Sequence, residues 1–160
     1  MSESLRPRIH GVPLCTISSV EPDTAPARFA SMDPSSPAHP TVSPYLVVAD
    51  ASALIAFAQS GFGADLVDHQ TRPDGTVAAA ALRVGDSVIM LTERGDATNA
   101  PRLHVYVADV EASYRRTLSH GASSLSAPES ISNAALRAGV IGPAGVQWWM
   151  STAPDGIEAV

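Results

Sequence analysis

Apolar and polar positions follow one another in a recurring order along residues 41–152. An apolar run at residues 44–49 is typical of a strand, and the carboxylate of Asp50 directly after it can cap a helix. Apolar side chains then recur at helical spacing over residues 51–60. Strand-like runs separated by turn residues follow at residues 64–70, 76–84 and 87–92. The first half therefore predicts the order strand, helix, strand, strand, strand.

The same order recurs about 60 residues later, after a polar loop at residues 94–101. A strand at residues 103–108 ends at Asp109, which is again placed to cap the helix predicted at residues 110–120. The remaining strands are predicted at residues 122–125, 134–141 and 146–151. The fold class is therefore α+β, built from two βαβββ modules.

The chain divides into three parts by composition. Residues 1–40 hold seven of the thirteen prolines, so we expect a mostly irregular, mobile N-terminal extension with no activity. The alternative is that its one short apolar patch, around residues 12–17, adds an edge strand or covers a partner subunit. Residues 41–152 form the predicted domain, with modules at about 41–93 and 101–152, and residues 153–160 are a C-terminal tail. Each module alone would expose one apolar face of its sheet to water, so we expect neither module to be stable alone.

Composition and charge narrow the classes of function. The 160 residues carry ten basic side chains, all arginine, against sixteen acids, for a net charge of -6. Because a nucleic-acid partner requires a basic face, this surplus of carboxylates argues against one. No apolar run approaches the ~20 residues that span a bilayer, and the N-terminus lacks the apolar core of a secretory signal. With Cys15 as its single cysteine, the chain is compatible with a reducing cytosol, so we expect a cytoplasmic protein without a membrane partner.

Five stretches together carry a resemblance to a known family: residues 43–50, 61–64, 82–91, 103–110 and 142–148. In this order and spacing the chain resembles the vicinal oxygen chelate superfamily, also called the glyoxalase/bleomycin-resistance/dioxygenase superfamily, and within it the PhnB-like branch. The resemblance implies a glyoxalase-like fold, in which the two modules form a half-open mixed-sheet barrel around a ligand cavity. It also implies a homodimer.

The resemblance further implies four metal-ligand positions, which in metal-dependent members hold His, Gln or Glu. Here these positions hold Ser43, Met90, Arg102 and Trp149. Serine is a poor ligand, methionine a soft one, arginine a cation, and tryptophan only donates a proton. Metal-dependent chemistry needs a divalent ion with open positions, so we expect neither a metal nor another cofactor here.

Two histidines offer a different metal site only if a third ligand joins them. His104 shares the inward face of its strand with Arg102, and His69 lies near the end of the second strand. Glu93 is three residues beyond Met90, which directs it to the opposite face of the strand. The sequence therefore supplies no third ligand.

The predicted ligand-binding pocket is apolar with a few polar groups. Its floor consists of Ala79, Ala81, Val88 and Met90, where relatives often carry polar residues at the two alanine positions. Its polar groups are Ser43, Tyr45, Arg102, His104 and Gln147. By contrast, the alternating Ala78 and Ala80 are expected to pack closely against a helix.

Two tryptophans and one arginine complete the predicted pocket. Trp148 matches an apolar family position and is expected in the core, whereas Trp149 faces the cavity on the other side of the strand. There its indole serves as a flat platform for an aromatic ligand, or simply plugs the vacated metal site. Arg137 matches a family arginine and either binds an anionic group or projects into solvent.

Three hypotheses of function remain open. The first is a small-molecule-binding protein that sequesters an apolar or aromatic natural product, as in antibiotic self-resistance. The second is a metal-independent isomerase, lyase or cyclase acting on a natural-product intermediate, with His104 as its acid/base and Arg102 or Tyr45 holding an oxyanion. The third is a structural or regulatory remnant that binds no small molecule.

Overall fold

The computed structural model of the protein describes residues 42–132, 135–157 and 159–160. The predictions for the N-terminal extension at residues 1–40 lie outside these ranges. Among the described residues, neither helix has the length and apolar character needed to cross a bilayer.

The two predicted βαβββ modules are both present. The first contains β1 (Tyr45–Val48), α1 (Ala51–Phe62), β2 (Asp65–Thr71), β3 (Val77–Val84) and β4 (Ser87–Glu93). The second contains β5 (Arg102–Val107), α2 (Val110–Ser119), β6 (Ser123–Ser132), β7 (Ala135–Ile141) and β8 (Gln147–Thr152), with a short 3-10 turn at Pro143–Gly145 between the last two strands. The predicted α+β class and order of elements are confirmed.

Strand β6 differs most from its prediction, since it extends to Ser132 rather than ending at residue 125. Its serine-rich sequence shows no sustained apolar alternation, because β6 is an edge strand with most of its side chains exposed. Its pairing with β7 contains several register shifts, which also obscure a period of two. Tertiary pairing with β7, and not local pattern, sets its length.

Within the described residues, the eight strands form two four-stranded mixed sheets and no closed barrel. The first sheet has the order β1-β4-β3-β2, and the second has the equivalent order β5-β8-β7-β6. In each sheet the first strand of the module runs parallel to the last, and the other pairs are antiparallel. The modules are thus two copies of one topology.

Both helices begin at the aspartates that the sequence predicted as caps. The Asp50 carboxylate accepts a hydrogen bond from the Ala53 N–H at 2.8 Å, and that of Asp109 accepts one from Ala112 at 2.9 Å. Each bond satisfies a backbone donor that the first helical turn leaves unpaired. Gly63 ends α1 with a φ of 67°, a conformation that favours glycine.

One apolar core joins the two modules. Trp148 of β8 is only 1% exposed, which confirms its predicted place in the core. Its ring stacks on Phe62 of α1 at a centroid distance of 4.7 Å, and Phe57 lies 6.0 Å away. A hydrogen bond of 2.7 Å from the Arg116 Nε to the Gly61 carbonyl also ties α2 to the end of α1. The helices and the second sheet therefore bury apolar surface against one another. Each sheet also has a second face, which points away from this core.

Candidate functional site

The face of each sheet that points away from the shared core, here called the inner face, carries the predicted site residues, with the exception of Ser43, which lies before β1. In the first sheet, Tyr45, Met90 and Ala81 are paired neighbours across β1, β4 and β3 and so form one row on this face. Val88 and Ala79 lie in the adjacent rows, two residues away along their strands. These five predicted site residues therefore lie on one face of one sheet.

The inner face of the second sheet is built in the same way. One row pairs Arg102 with Gln147, and the next pairs His104 with Trp149, which in turn pairs with Gly139 of β7. A third row contains Tyr106, Ser151 and Arg137. This face brings together all five of the predicted residues of the second module.

The indole of Trp149 is the largest side chain on this face, and it is half-buried. It lies flat against Gly139, because a Cβ built on that glycine would be 3.1 Å from the indole Cε3 and Cζ3 atoms. The guanidinium carbon of Arg137 lies over the same indole, 5.4 Å from its centroid. We call Trp149, Gly139, Arg137 and His104 the tryptophan cluster.

Arg137 also forms an ion pair within the second sheet. Its Nη2 atom lies 3.3 Å from the Glu129 Oε1 atom, and both side chains are about half exposed. The buried Nε of Arg137 has no hydrogen-bond partner among the residues that the structure describes. Arg137 is therefore partly exposed and paired with Glu129, while its Nε is not satisfied by the described residues.

A cavity of about 280 Å³, which we call the seam cavity, lies where the first sheet meets β5 and the C-terminal tail. Its walls are mostly apolar, and come from the segment before β1, the β3–β4 turn, β4, β5 and the tail. Of the predicted site residues, only Val88 and His104 line it. Ala79 and Ala81 are 1% and 0% exposed and do not line it, so the expected widened floor is not found at this cavity.

The tail closes one side of the seam cavity. The Val160 N–H donates to the Tyr106 carbonyl at 3.1 Å, and the Val160 carbonyl accepts from Ala108 at 3.3 Å, so the tail pairs with the free edge of β5. The Val160 side chain lies against Gly85 in the β3–β4 turn, 3.0 Å from where a Cβ would be. Because Gly85 has a φ of 59°, glycine suits this turn for conformational reasons as well.

His104 connects the tryptophan cluster to the seam cavity. It lines the cavity, pairs with Trp149 in the sheet, and has its ring 5.0 Å from that of Tyr106. Tyr106 is not among the predicted site residues, although its spacing of two from His104 places it on the same face. Gly139 is not among them either, because its proximity to Trp149 depends on a cross-strand pairing that no local pattern contains.

The residues at the metal positions of the family do not fit a divalent ion. Met90 lies on the first sheet and Arg102 and Trp149 on the second, and none of them is an anionic or imidazole ligand. Within the described residues, no group of three His, Cys, Asp or Glu side chains is close enough to hold a metal. His69 pairs with Ala80, on the core side of the first sheet, so it cannot join His104 at the inner face.

The fold and the site together define a class of proteins built from paired modules. Two βαβββ modules share one core, and the inner faces of their mixed sheets carry aromatic and polar side chains. Residues 27–150 match the family model of the Glyoxalase/Bleomycin resistance protein/Dioxygenase superfamily. The chain belongs to this family.

Curated relatives match part of this sequence. An uncharacterized protein of Mycobacterium bovis is 33% identical over 103 residues, covering 56% of this chain and 68% of the relative. An uncharacterized protein of Mycobacterium tuberculosis has the same identity, and the match covers 56% of this chain and 61% of that protein.

Among solved structures, TioX from Micromonospora sp. ML1 has a TM-score of 0.58 at 18% identity, covering 74% of this chain and 100% of that chain. A PhnB protein from Bacillus cereus also has a TM-score of 0.58, at 17% identity, covering 71% of this chain and 100% of that one. A glyoxalase/bleomycin resistance protein from Catenulispora acidiphila reaches 0.54 at 17% identity, covering 71% and 97%. At these identities the solved structures establish a shared fold.

Proposed function

We propose that this protein is a metal-independent small-molecule-binding protein that sequesters an apolar or aromatic natural product, in the manner of antibiotic self-resistance. The observation that carries this proposal is Trp149. At the position where the resemblance places a metal ligand, the chain presents a half-buried indole on the inner face of the second sheet.

The tryptophan cluster has the physical properties of a ring-binding surface. An indole held against Gly139 loses little further freedom when a ligand stacks beside it, and aromatic pairs contribute about 0.5–1.5 kcal/mol beyond area burial. The adjoining seam cavity adds mostly apolar walls, and its volume of about 280 Å³ suits a small ring system or one end of a larger ligand. We further propose a cytoplasmic homodimer, on the basis of the family resemblance and the single cysteine.

An enzymatic role is the second candidate, and the position of His104 favours it. An imidazole at the wall of a cavity, 5.0 Å from the Tyr106 ring, is placed to exchange a proton with a bound molecule. In this alternative the protein is a metal-independent isomerase, lyase or cyclase, with His104 as acid/base.

The test uses N-phenyl-1-naphthylamine, a neutral aromatic dye whose fluorescence rises in an apolar site. We expect Trp149→Ala to weaken its binding by about tenfold and Trp149→Phe to restore most of the affinity. Tyr114→Ala, on α2 and away from both inner faces, serves as the control. Unchanged dye affinity in Trp149→Ala would refute the proposed site.

Separating sequestration from catalysis requires a natural product as the probe. Cinnamic acid, an aromatic natural product without a positive charge, is incubated with the protein and then examined by mass spectrometry and chromatography. Sequestration predicts recovery of unaltered cinnamic acid, with an affinity that His104→Ala leaves within about twofold. An enzyme acting on it would yield a product, and the same substitution would reduce the rate about 10²-fold or more.

A further inference from the structure

Two residues of β7 lie next to the Trp149 indole. Gly139 lies against it from the sheet, where a Cβ would be only 3.1–3.3 Å from three ring carbons. The guanidinium carbon of Arg137 lies over the ring, 5.4 Å from its centroid. The tryptophan cluster therefore places a cation within cation–π distance of an indole.

This arrangement discriminates between neutral and anionic ligands. A neutral ring that stacks on the indole at the place of Arg137 has to displace this side chain, which removes a cation–π contact. A ring that bears an anionic group can instead pair with Arg137 and stack on the planar guanidinium, leaving the contact with Trp149 in place. The cluster as it stands therefore favours an acid.

Arg137 has unused capacity to donate hydrogen bonds. Its contact with Glu129 is a single exposed pair at 3.3 Å, through Nη2, and such pairs are worth little in water. The buried Nε has no partner among the described residues, although a guanidinium carries five donor hydrogens. A ligand carboxylate could replace Glu129 at the Nη2 atom without leaving the arginine unpaired.

The local charge points in the same direction. On the inner face of the second sheet, the described strands place two arginines, Arg102 and Arg137, against one acid, Glu129. The chain as a whole carries a net charge of -6, so this face is positive in an otherwise acidic protein. Such a face attracts anions and repels cations.

We infer that the ligand of the tryptophan cluster is an aromatic acid, a ring system bearing a carboxylate or similar anionic oxygen group that Arg137 binds. The inference rests on the proposed function. It narrows the class of ligand from aromatic molecules in general to aromatic molecules that carry an anionic group. His104, next to Trp149 in the sheet, then borders the ring of the ligand on the side away from Arg137.

Two dyes that differ by one anionic group test the inference. 8-Anilinonaphthalene-1-sulfonate carries a sulfonate that N-phenyl-1-naphthylamine lacks, and both are titrated by fluorescence against the full chain. We expect the anionic dye to bind at least about tenfold more tightly. Arg137→Gln should reverse this preference, because it removes the charge and uncovers the indole, and Arg137→Lys should retain part of it.

Two further variants make the test specific to Arg137. Glu129→Gln should tighten binding of the anionic dye about threefold, because the competing carboxylate is lost, and leave the neutral dye unchanged. Arg115→Gln is the matched control, since Arg115 forms a similar exposed ion pair with Glu111 at 3.7 Å on α2, outside the cluster. It should alter the affinity of neither dye.

The outcomes separate this inference from the proposed function. If both dyes bind equally and depend on Trp149 but not on Arg137, the aromatic site stands and the preference for acids is wrong. If neither dye binds, the proposed function fails and the inference fails with it. A loss of the anionic dye alone in Arg137→Gln, with the neutral dye unchanged or tighter, supports both.

Discussion

At the scale of single residues, the contact between Trp149 and Gly139 determines the shape of the candidate site. The two residues are paired across β8 and β7, and the absence of a side chain at Gly139 allows the indole to lie flat on the sheet. Glycine generally weakens a strand, since it has no side chain to pack. Its presence in the middle of β7 is explained here by the close approach of the ring.

Gly139→Ala should therefore damage the site more than the fold. The new methyl group would meet the ring at 3.1 Å and tilt the indole away from the sheet, disturbing its contact with Arg137. We expect binding of the anionic dye to weaken severalfold and the Trp149 emission to shift, with a change in unfolding free energy below about 1 kcal/mol. Dye titration, emission spectra and urea unfolding measure the three effects.

Gly95→Ala provides the control for this substitution. Gly95 lies in the loop between β4 and β5, with no atom within 4 Å of a built Cβ, so the change should affect neither emission nor dye binding. Wild-type emission and dye affinity in Gly139→Ala would show that the indole does not rest on this glycine.

At the scale of elements, each helix depends on a single aspartate at its N-terminus. Asp50→Ala should lower the free energy of unfolding by about 1 kcal/mol, because the Ala53 N–H loses its acceptor at 2.8 Å. Asp50→Asn keeps a side-chain oxygen in place and should lose much less. Urea denaturation followed by circular dichroism measures both variants, and equal stability of the alanine variant and the wild type would contradict the capping role.

The same elements show what the sequence could predict. Asp50 and Asp109 were predictable as caps because an aspartate between an apolar strand and an amphipathic helix is a local signal. The inner-face positions of His104 and Trp149 were predictable because strand side chains alternate. Strand β6 was predicted too short, since edge exposure and register shifts remove the alternation from Ser123–Ser132.

The remaining features of the site depend on contacts between strands that are distant in sequence. The cation–π contact of Arg137 with Trp149 and the proximity of Gly139 follow from the pairing of β7 with β8. The seam cavity combines β4, β5 and the tail, so only Val88 and His104 of the predicted pocket line it. No local periodicity specifies such pairings, because register is set by tertiary packing.

At the scale of the whole molecule, the two modules are held together by residues of one shared core. Trp148 belongs to the second sheet but stacks on Phe62 and contacts Phe57, both on the helix of the first module. Gly61 of α1 also approaches Thr117 of α2, with a built Cβ 3.1 Å from its methyl group. Each module therefore covers apolar surface that the other would otherwise expose to water, and we expect the two to unfold as one unit.

Trp148→Ala tests this coupling between the modules. Removing a fully buried indole between the two modules should cost about 3–5 kcal/mol, a large share of the stability of a domain of this size. Trp148→Phe keeps an aromatic ring against Phe62 and should lose distinctly less. Trp149→Ala is the matched control on the opposite face of the same strand, and it should cost less because its indole is only half-buried. Urea unfolding is monitored by circular dichroism and by amide exchange in each module. We expect one coincident transition for Trp148→Phe. Two separate transitions in the wild type would show that the modules are stabilised independently.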